Sequence, residues 1–180
     1  MLRQPLLHLL RSYAAKFPAE IATAGELISF VEGNENCFER SLLEGHVTAS
    51  AWVINQDRSA ALLIHHVKLD KWLQPGGHCD GDPDTLHVAL KECIEETGLS
   101  TKPVSTEIFD VDIHEIPERK EVPAHIHYDI RYLLQAVPGA EIAASETETN
   151  QVLWVPLTDV TRYTTEDSIL RMLAKTPAYL

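Results

Sequence analysis

A glycine-rich loop running straight into a capped helix, "GGHCDGDPDTLHVALKECIEETG" from Gly76 to Gly98, constrains this chain more than any other stretch. Asp82 can cap the helix. Pro83 suits the first helical position, where a missing N–H costs nothing, and Gly98 can take the left-handed conformation that ends a helix. At about 100° per residue, Leu86, Leu90, Cys93, Ile94 and Thr97 fall on one flank, which is predicted to pack on a sheet. Thr85, Val88, Glu92, Glu95 and Glu96 fall on the other, so all three carboxylates point one way.

The sheet is legible on either side of that helix. "HVTASAWVI" and "AALLIHHV" are rich in β-branched and apolar residues and flank "NQDRS", a hairpin signal. "TEIFDVDIHEI", "HIHYDIRYLLQAV" and "QVLWVPL" read as three more strands, and "TTEDSILRMLAK" as a capped C-terminal helix. Upstream, Leu6, Leu10, Tyr13 and Phe17 recur at helical spacing over about residues 3–16, and a second helix runs from Ala19 to about Glu32. The expected architecture is α/β in the α+β sense, a three-layer sandwich, with residues 1–45 as an N-terminal two-helix extension and residues 46–180 as the main domain. A chain of 180 residues accommodates one sizeable core of this kind.

The formal net charge of −12, with no long run of one sign, argues against a grip on nucleic acid or an anionic membrane, since phosphate backbones are held by clustered Lys and Arg. A small anionic ligand can still bind through a cation. Cys37, Cys79 and Cys93 are odd in number and lack CxxC spacing, so reduced thiols and a cytoplasmic setting are expected. The apolar N-terminus is interrupted by Arg3, Gln4, His8 and Arg11, and no run of about 18 apolar residues occurs, so no membrane span is expected.

Carboxylates near a helix C-terminus face the negative end of the macrodipole and one another, each an unfavourable contribution of about 0.3–1 kcal/mol. Their placement therefore calls for a bound cation, and hard oxygen ligands favour Mg2+ or Mn2+. The preceding "LQPGGHCDGD" has Gly76, Gly77 and Gly81, a backbone that a metal or phosphate can approach closely.

Taken together, Gly76 to Leu99 resembles the Nudix box, in which a glycine loop leads to R-E-U-x-E-E-x-G-U with U apolar. Gly77, Glu92, Cys93, Glu95, Glu96, Gly98 and Leu99 match. Pro83 stands where the family has its first glutamate, and Lys91 where it has arginine; Asp82 or Asp84 is then expected to pair with Lys91. The resemblance implies a Nudix-like sandwich with a mixed sheet and hydrolysis of a diphosphate linkage in a small nucleotide-type or other organic substrate. It also implies Mg2+ or Mn2+ held by Glu92, Glu95, Glu96 and the Gly77 carbonyl, with one of those glutamates or, from a later loop, Glu146 or Glu148 as general base. Two other readings share the fold. One is an isopentenyl-diphosphate isomerase-like enzyme, for which His78 and Cys79 would matter. The other is a regulatory domain that only binds ligands.

One further stretch carries chemistry. In "HIHYDIRY" strict alternation sends His125, His127, Asp129 and Arg131 to one face of a strand, and Ile126, Tyr128, Ile130 and Tyr132 to the other. The polar face, with His78, is expected to bind substrate phosphates, with Asp129 orienting a histidine and Arg131 adding fixed positive charge. The apolar stripe of the first two helices, Leu6, Leu10, Tyr13, Leu27 and Val31, is expected to pack on the sandwich or on a second copy of the chain in a homodimer.

Overall fold

The computed structural model describes residues 2–66, 70–119, 122–143 and 149–179. The helices are α1 (Gln4–Lys16), α2 (Ile21–Gly33), α3 (Thr85–Thr97) and α4 (Asp167–Lys175). The strands are β1 (Gly45–Ile54), β2 (Ala60–His66), β3 (Lys71–Leu73), β4 (Gly76–His78), β5 (Thr101–Pro103), β6 (Asp110–Ile116), β7 (His125–Ala136) and β8 (Thr149–Pro156). The long apolar runs became strands as read. The three-residue strands β3, β4 and β5 are too short to show a period-2 pattern, which is why the sequence does not reveal them.

All eight strands join one mixed sheet. Its centre is a parallel pair, β1 beside β7, in register from Gly45 opposite Ile126 to Ile54 opposite Gln135. β4 pairs antiparallel with β1, β6 with β7, and both β3 and β8 with β2. The parallel pair needs a long crossover, and α3 lies within it.

Alternation along β1 and β7 divides the core. Val47, Ala49, Ala51 and Val53 of β1, with Ile130, Tyr132 and Leu134 of β7, pack with Leu6, Leu10 and Tyr13 of α1, Leu27 and Val31 of α2, and Val88, Ala89 and Cys93 of α3. The N-terminal stripe is thus covered within one chain, and Phe30 of α2 stacks on Tyr128 at 3.7 Å between ring centroids. On the other face Trp52, Ile54, Ala61, Leu63 and Leu133 pack with Ile169 and Met172 of α4. That second face changes character partway along. Trp52 lies beside Leu133, but the preceding pairs are Ser50 beside Arg131, Thr48 beside Asp129 and His46 beside His127. One half of the face is core, and the other half is polar.

Candidate active site and a histidine cluster

α3 starts at Thr85, two residues later than the loop chemistry suggested. Two aspartates act in series: Asp82 accepts from the Asp84 N–H at 2.9 Å, and Asp84 caps the helix by accepting from the His87 N–H at 3.0 Å. Asp82 also pairs with the His87 ring at 2.8 Å, so it is engaged away from Lys91. Lys91 instead lies 3.5 Å from Glu92 and 3.7 Å from Glu95. Gly98 ends the helix with φ 67°, its N–H bonded to the Ile94 carbonyl. The buried face is also rotated from the expected one. Thr85, Val88, Ala89, Cys93, Glu96 and Thr97 are buried, while Ile94 is 49% exposed. The rotation brings the edge of the carboxylate arc against β4.

That contact holds two of the glutamates in place. Glu96 is 5% exposed, and its Oε2 accepts the Gly76 N–H at 2.9 Å. The Glu92 carboxylate lies so close to the Gly77 backbone that a Cβ there would meet Oε2 at 2.3 Å, so a side chain at this position would displace the carboxylate. Gly77, Glu92, Glu95 and Glu96 all line one cavity of about 520 Å3, whose wall also carries Arg40, Gln74 and Asp129. Glu95 is the outermost, its side chain 56% exposed. Arg40 forms a two-pronged pair with Asp80, and that hydrogen bond holds the Asp80 carboxyl below the usual carboxylate range. Gln74 donates to Ser50 Oγ at 3.2 Å, while its own Oε1 is buried without a partner among the described residues. Three carboxylates and a backbone carbonyl at the end of a glycine loop make a hard oxygen donor set, which fits Mg2+ or Mn2+. Glu146 and Glu148 lie outside the described residues.

The stripe on β7 separates into two parts with different surroundings. Asp129 lines the cavity floor and accepts from Thr48 Oγ1 at 3.0 Å, Ser50 Oγ at 2.8 Å and Arg131 Nε at 2.7 Å. Arg131 is 2% exposed, its guanidinium also 3.4 Å from Asp110 and 3.1 Å from Asp112. Burial opposes ionisation of Asp112, but the hydrogen bond from His114 and the charge of Arg131 outweigh it and hold this carboxyl well below the usual range. The expected role of Arg131 as a charge offered to substrate does not fit this geometry, because the guanidinium is enclosed by carboxylates beneath the cavity. Its alternation with apolar residues places it correctly on the face, but the sequence does not show that Asp110 and Asp112 of β6 meet it there.

His125 and His127 join His78 of β4 and His46 of β1. The ring centroids of His46 lie 5.0 Å from those of His78, His125 and His127, and His78 lies 5.0 Å from His127. Burial pushes the His78 imidazole down to about 4, helped by Arg40, and pushes His127 down to about 2, helped by His78. These rings are therefore neutral at neutral pH. The sequence does not single out His46, although "HVTAS" carries the same alternation of polar residues as "HIHYDIR". The apolar half of that strand masked it.

Cys79 is buried in the core rather than in the cavity wall, and burial pushes its thiol upward. Among the described residues no helix is long and apolar enough to cross a membrane.

Comparison with known proteins agrees with this arrangement. A Lactococcus lactis subsp. cremoris (strain MG1363) protein named "Probable DHNTP pyrophosphohydrolase" is 35% identical over 91 residues, 49% of this chain and 53% of that protein, so the match spans about half the length of this relative. A hydrolase of the NUDIX family from Clostridium perfringens superposes with a TM-score of 0.57 at 18% identity, over 75% of this chain and 98% of that one. MutT protein from Methanosarcina mazei Go1 gives a TM-score of 0.58 at 19% identity, over 76% and 96% of the two chains. At those identities the likeness is one of fold. The NUDIX domain family model matches residues 45–175, from the first residue of β1 to the last of α4. That match holds most of the chain and every glutamate of the cavity wall, and the chain belongs to the NUDIX domain family.

Proposed function

We propose that the chain hydrolyses a phosphoric anhydride bond in a small organic diphosphate, with Mg2+ or Mn2+, and that Glu92, Glu95, Glu96 and the Gly77 carbonyl hold the ion. The observation that carries this reading is that Gly77, Glu92, Glu95 and Glu96 all line one cavity of about 520 Å3, with Arg40 and Lys91 beside them. A cation bound there neutralises the substrate's phosphates and lowers the pKa of a coordinated water.

The chain's own residues supply the rest. The Gly76 N–H fixes the Glu96 carboxylate, and the bare Cα of Gly77 lets Glu92 approach the loop. Arg40 and Lys91 place positive charge where the outer phosphate oxygens of a substrate would lie. Gln74, whose Nε2 donates to Ser50, lines the same cavity beside these charges. An isomerase-like reaction finds less support, since the Cys79 thiol it would use packs in the core. The three cysteines are free and buried, which supports work in the reducing cytoplasm. Residues 1–45 act in this reading as a helical extension that braces the domain of residues 46–180.

The test is a substrate panel with Mg2+ and with Mn2+: DHNTP, named for the Lactococcus relative, then nucleoside triphosphates, dinucleotides, nucleotide sugars and CoA. Cleavage of at least one member, abolished by chelation and by Glu95→Gln, is the expected result. Turnover that survives Glu95→Gln would overturn the assignment of the metal site.

A further inference from the structure

We propose that His46, His78, His125 and His127 form a second metal site, built of imidazole nitrogens and selective for a borderline divalent ion such as Zn2+. This inference does not depend on the hydrolase reading.

The four rings come together through strand register. His46 of β1 lies directly beside His127 of β7, His125 is two residues earlier on the same face, and His78 of β4 pairs with Thr48, two residues beyond His46. One ligand atom from each histidine can be chosen so that all lie within 4.8 Å of one another. A rotation of the side chains closes that spread around a single ion.

Tautomers sharpen the geometry. His46 Nδ1 faces the Leu42 carbonyl at 3.3 Å and His125 Nδ1 faces the Pro123 carbonyl at 2.9 Å. A carbonyl can only accept, so both Nδ1 atoms carry the proton and both Nε2 atoms present lone pairs. His46 is 3% exposed, and its Nε2 is buried with no hydrogen-bond partner among the described residues. A buried acceptor left without a donor is costly, and a metal ion would satisfy it. A histidine that binds a metal through one nitrogen while donating the other N–H to a backbone carbonyl is the usual arrangement around such ions.

His125 Nε2 and His127 Nε2 are 3.2 Å apart. Two nitrogens bound at about 2.0–2.1 Å to one tetrahedral ion are separated by about 3.3 Å, so this pair already has the required spacing. Without metal, the His127 Nε2–H donates to His125; on binding, that proton moves to His127 Nδ1. Four imidazoles form a softer set than the carboxylates of α3, which is why the two sites should select different ions. His78 and His127 also line the large cavity, so the second ion would tie β4, with its Gly77, to the centre of the sheet.

The full chain, stripped with chelator and dialysed, is titrated with Zn2+ in excess Mg2+, which competes for any site built of carboxylates. We expect one equivalent to bind and the melting temperature to rise. His46→Gln and His125→Gln should each weaken Zn2+ by at least about 100-fold, the upper end of what loss of an outer partner costs a metal site, whereas Glu95→Gln should leave Zn2+ affinity unchanged. Wild-type protein loaded with Zn2+ or Co2+ gives a readout that needs no variant: X-ray absorption should show at least three imidazoles, and Co2+ should develop tetrahedral d–d bands. Absence of binding by folded wild type, absence of imidazole scattering, or an affinity lowered by Glu95→Gln but not by the histidine variants would overturn the site.

Discussion

Two acidic triads in this molecule are held in opposite ways. Asp110, Asp112 and Asp129 surround the guanidinium of Arg131, and Arg171 and Lys175 close on Asp110 at 2.8 Å and 2.6 Å. Glu20, on the turn before α2, joins the same network at 2.7 Å from Lys175. Glu92, Glu95 and Glu96 stand on one arc of α3, at the wall of an open cavity, with Lys91 no nearer than 3.5 Å to Glu92 and 3.7 Å to Glu95. In the first triad the cations come from the chain itself, and folding assembles them around the aspartates. In the second, Glu96 is held by a backbone N–H, Glu92 lies against the glycine loop, and all three line a space that a soluble cation can enter. Acidity alone therefore does not describe either cluster; the difference lies in burial among cations of the fold against a place on a cavity wall.

Within the buried network, Asp110 holds the most cations and is the position most sensitive to substitution. Removing one partner of a buried ion network leaves an uncompensated charge, so Asp110→Ala should cost about 3–5 kcal/mol of stability by urea denaturation. Turnover per folded molecule, measured where the variant is still folded, should be unchanged. A variant that loses turnover and keeps its stability would show that the buried triad belongs to the chemistry.

The second triad should respond the other way. Glu95→Gln and Glu96→Gln are expected to lower kcat at least about 100-fold, which corresponds to about 2.7 kcal/mol at 1.36 kcal/mol per factor of ten. For Glu95, whose side chain is 56% exposed, the melting temperature should hardly move. Unchanged turnover in either variant on a cleaved substrate would end the distinction drawn above.

How much of this contrast was legible differs between the two regions. The glutamates could be read from the chain because they are local: one helix, framed by Asp82, Pro83 and Gly98, fixes their shared side. Long strands and both N-terminal helices were legible for the same reason. The aspartate network was not, because its members come from β6, β7, α4 and the turn before α2, and no local pattern reports a contact between residues such as Glu20 and Lys175. The histidine cluster falls between these cases. Alternation gave His125 and His127 a common face, but the parallel register that brings His46 beside His127 depends on a crossover that the sequence does not specify.

A smaller effect probes how the second triad is held. Gly77 has an ordinary backbone, so Gly77→Ala is strained only by space: its Cβ would fall 2.3 Å from Glu92 Oε2 and displace the carboxylate. Such a displacement should lower kcat by about tenfold, since small misplacements near reacting groups cost one to two orders of magnitude. A Gly77→Ala enzyme with wild-type kcat would mean that Glu92 need not sit against the loop.

The smallest expected effect concerns acid. The carboxyl of Asp112 titrates below its usual range in the folded protein, because the His114 hydrogen bond and the Arg131 charge outweigh burial. An unfolded aspartate takes up its proton near pH 3.9. Above that value both states are ionised there, and the stability from Asp112 is fully present. As pH falls below about 4 the unfolded chain binds the proton first, so that stability declines and is lost as pH passes through the folded value. The gap in melting temperature between wild type and Asp112→Asn should therefore be widest near neutrality and narrow below about pH 4. It should be modest, because Arg131 keeps Asp110 and Asp129 in either protein. Parallel melting curves down to acid pH would show that Asp112 adds no ionic stability to the network. Glu95→Gln should follow wild type in the same scan, since an exposed carboxylate 3.7 Å from a lysine contributes little to folding.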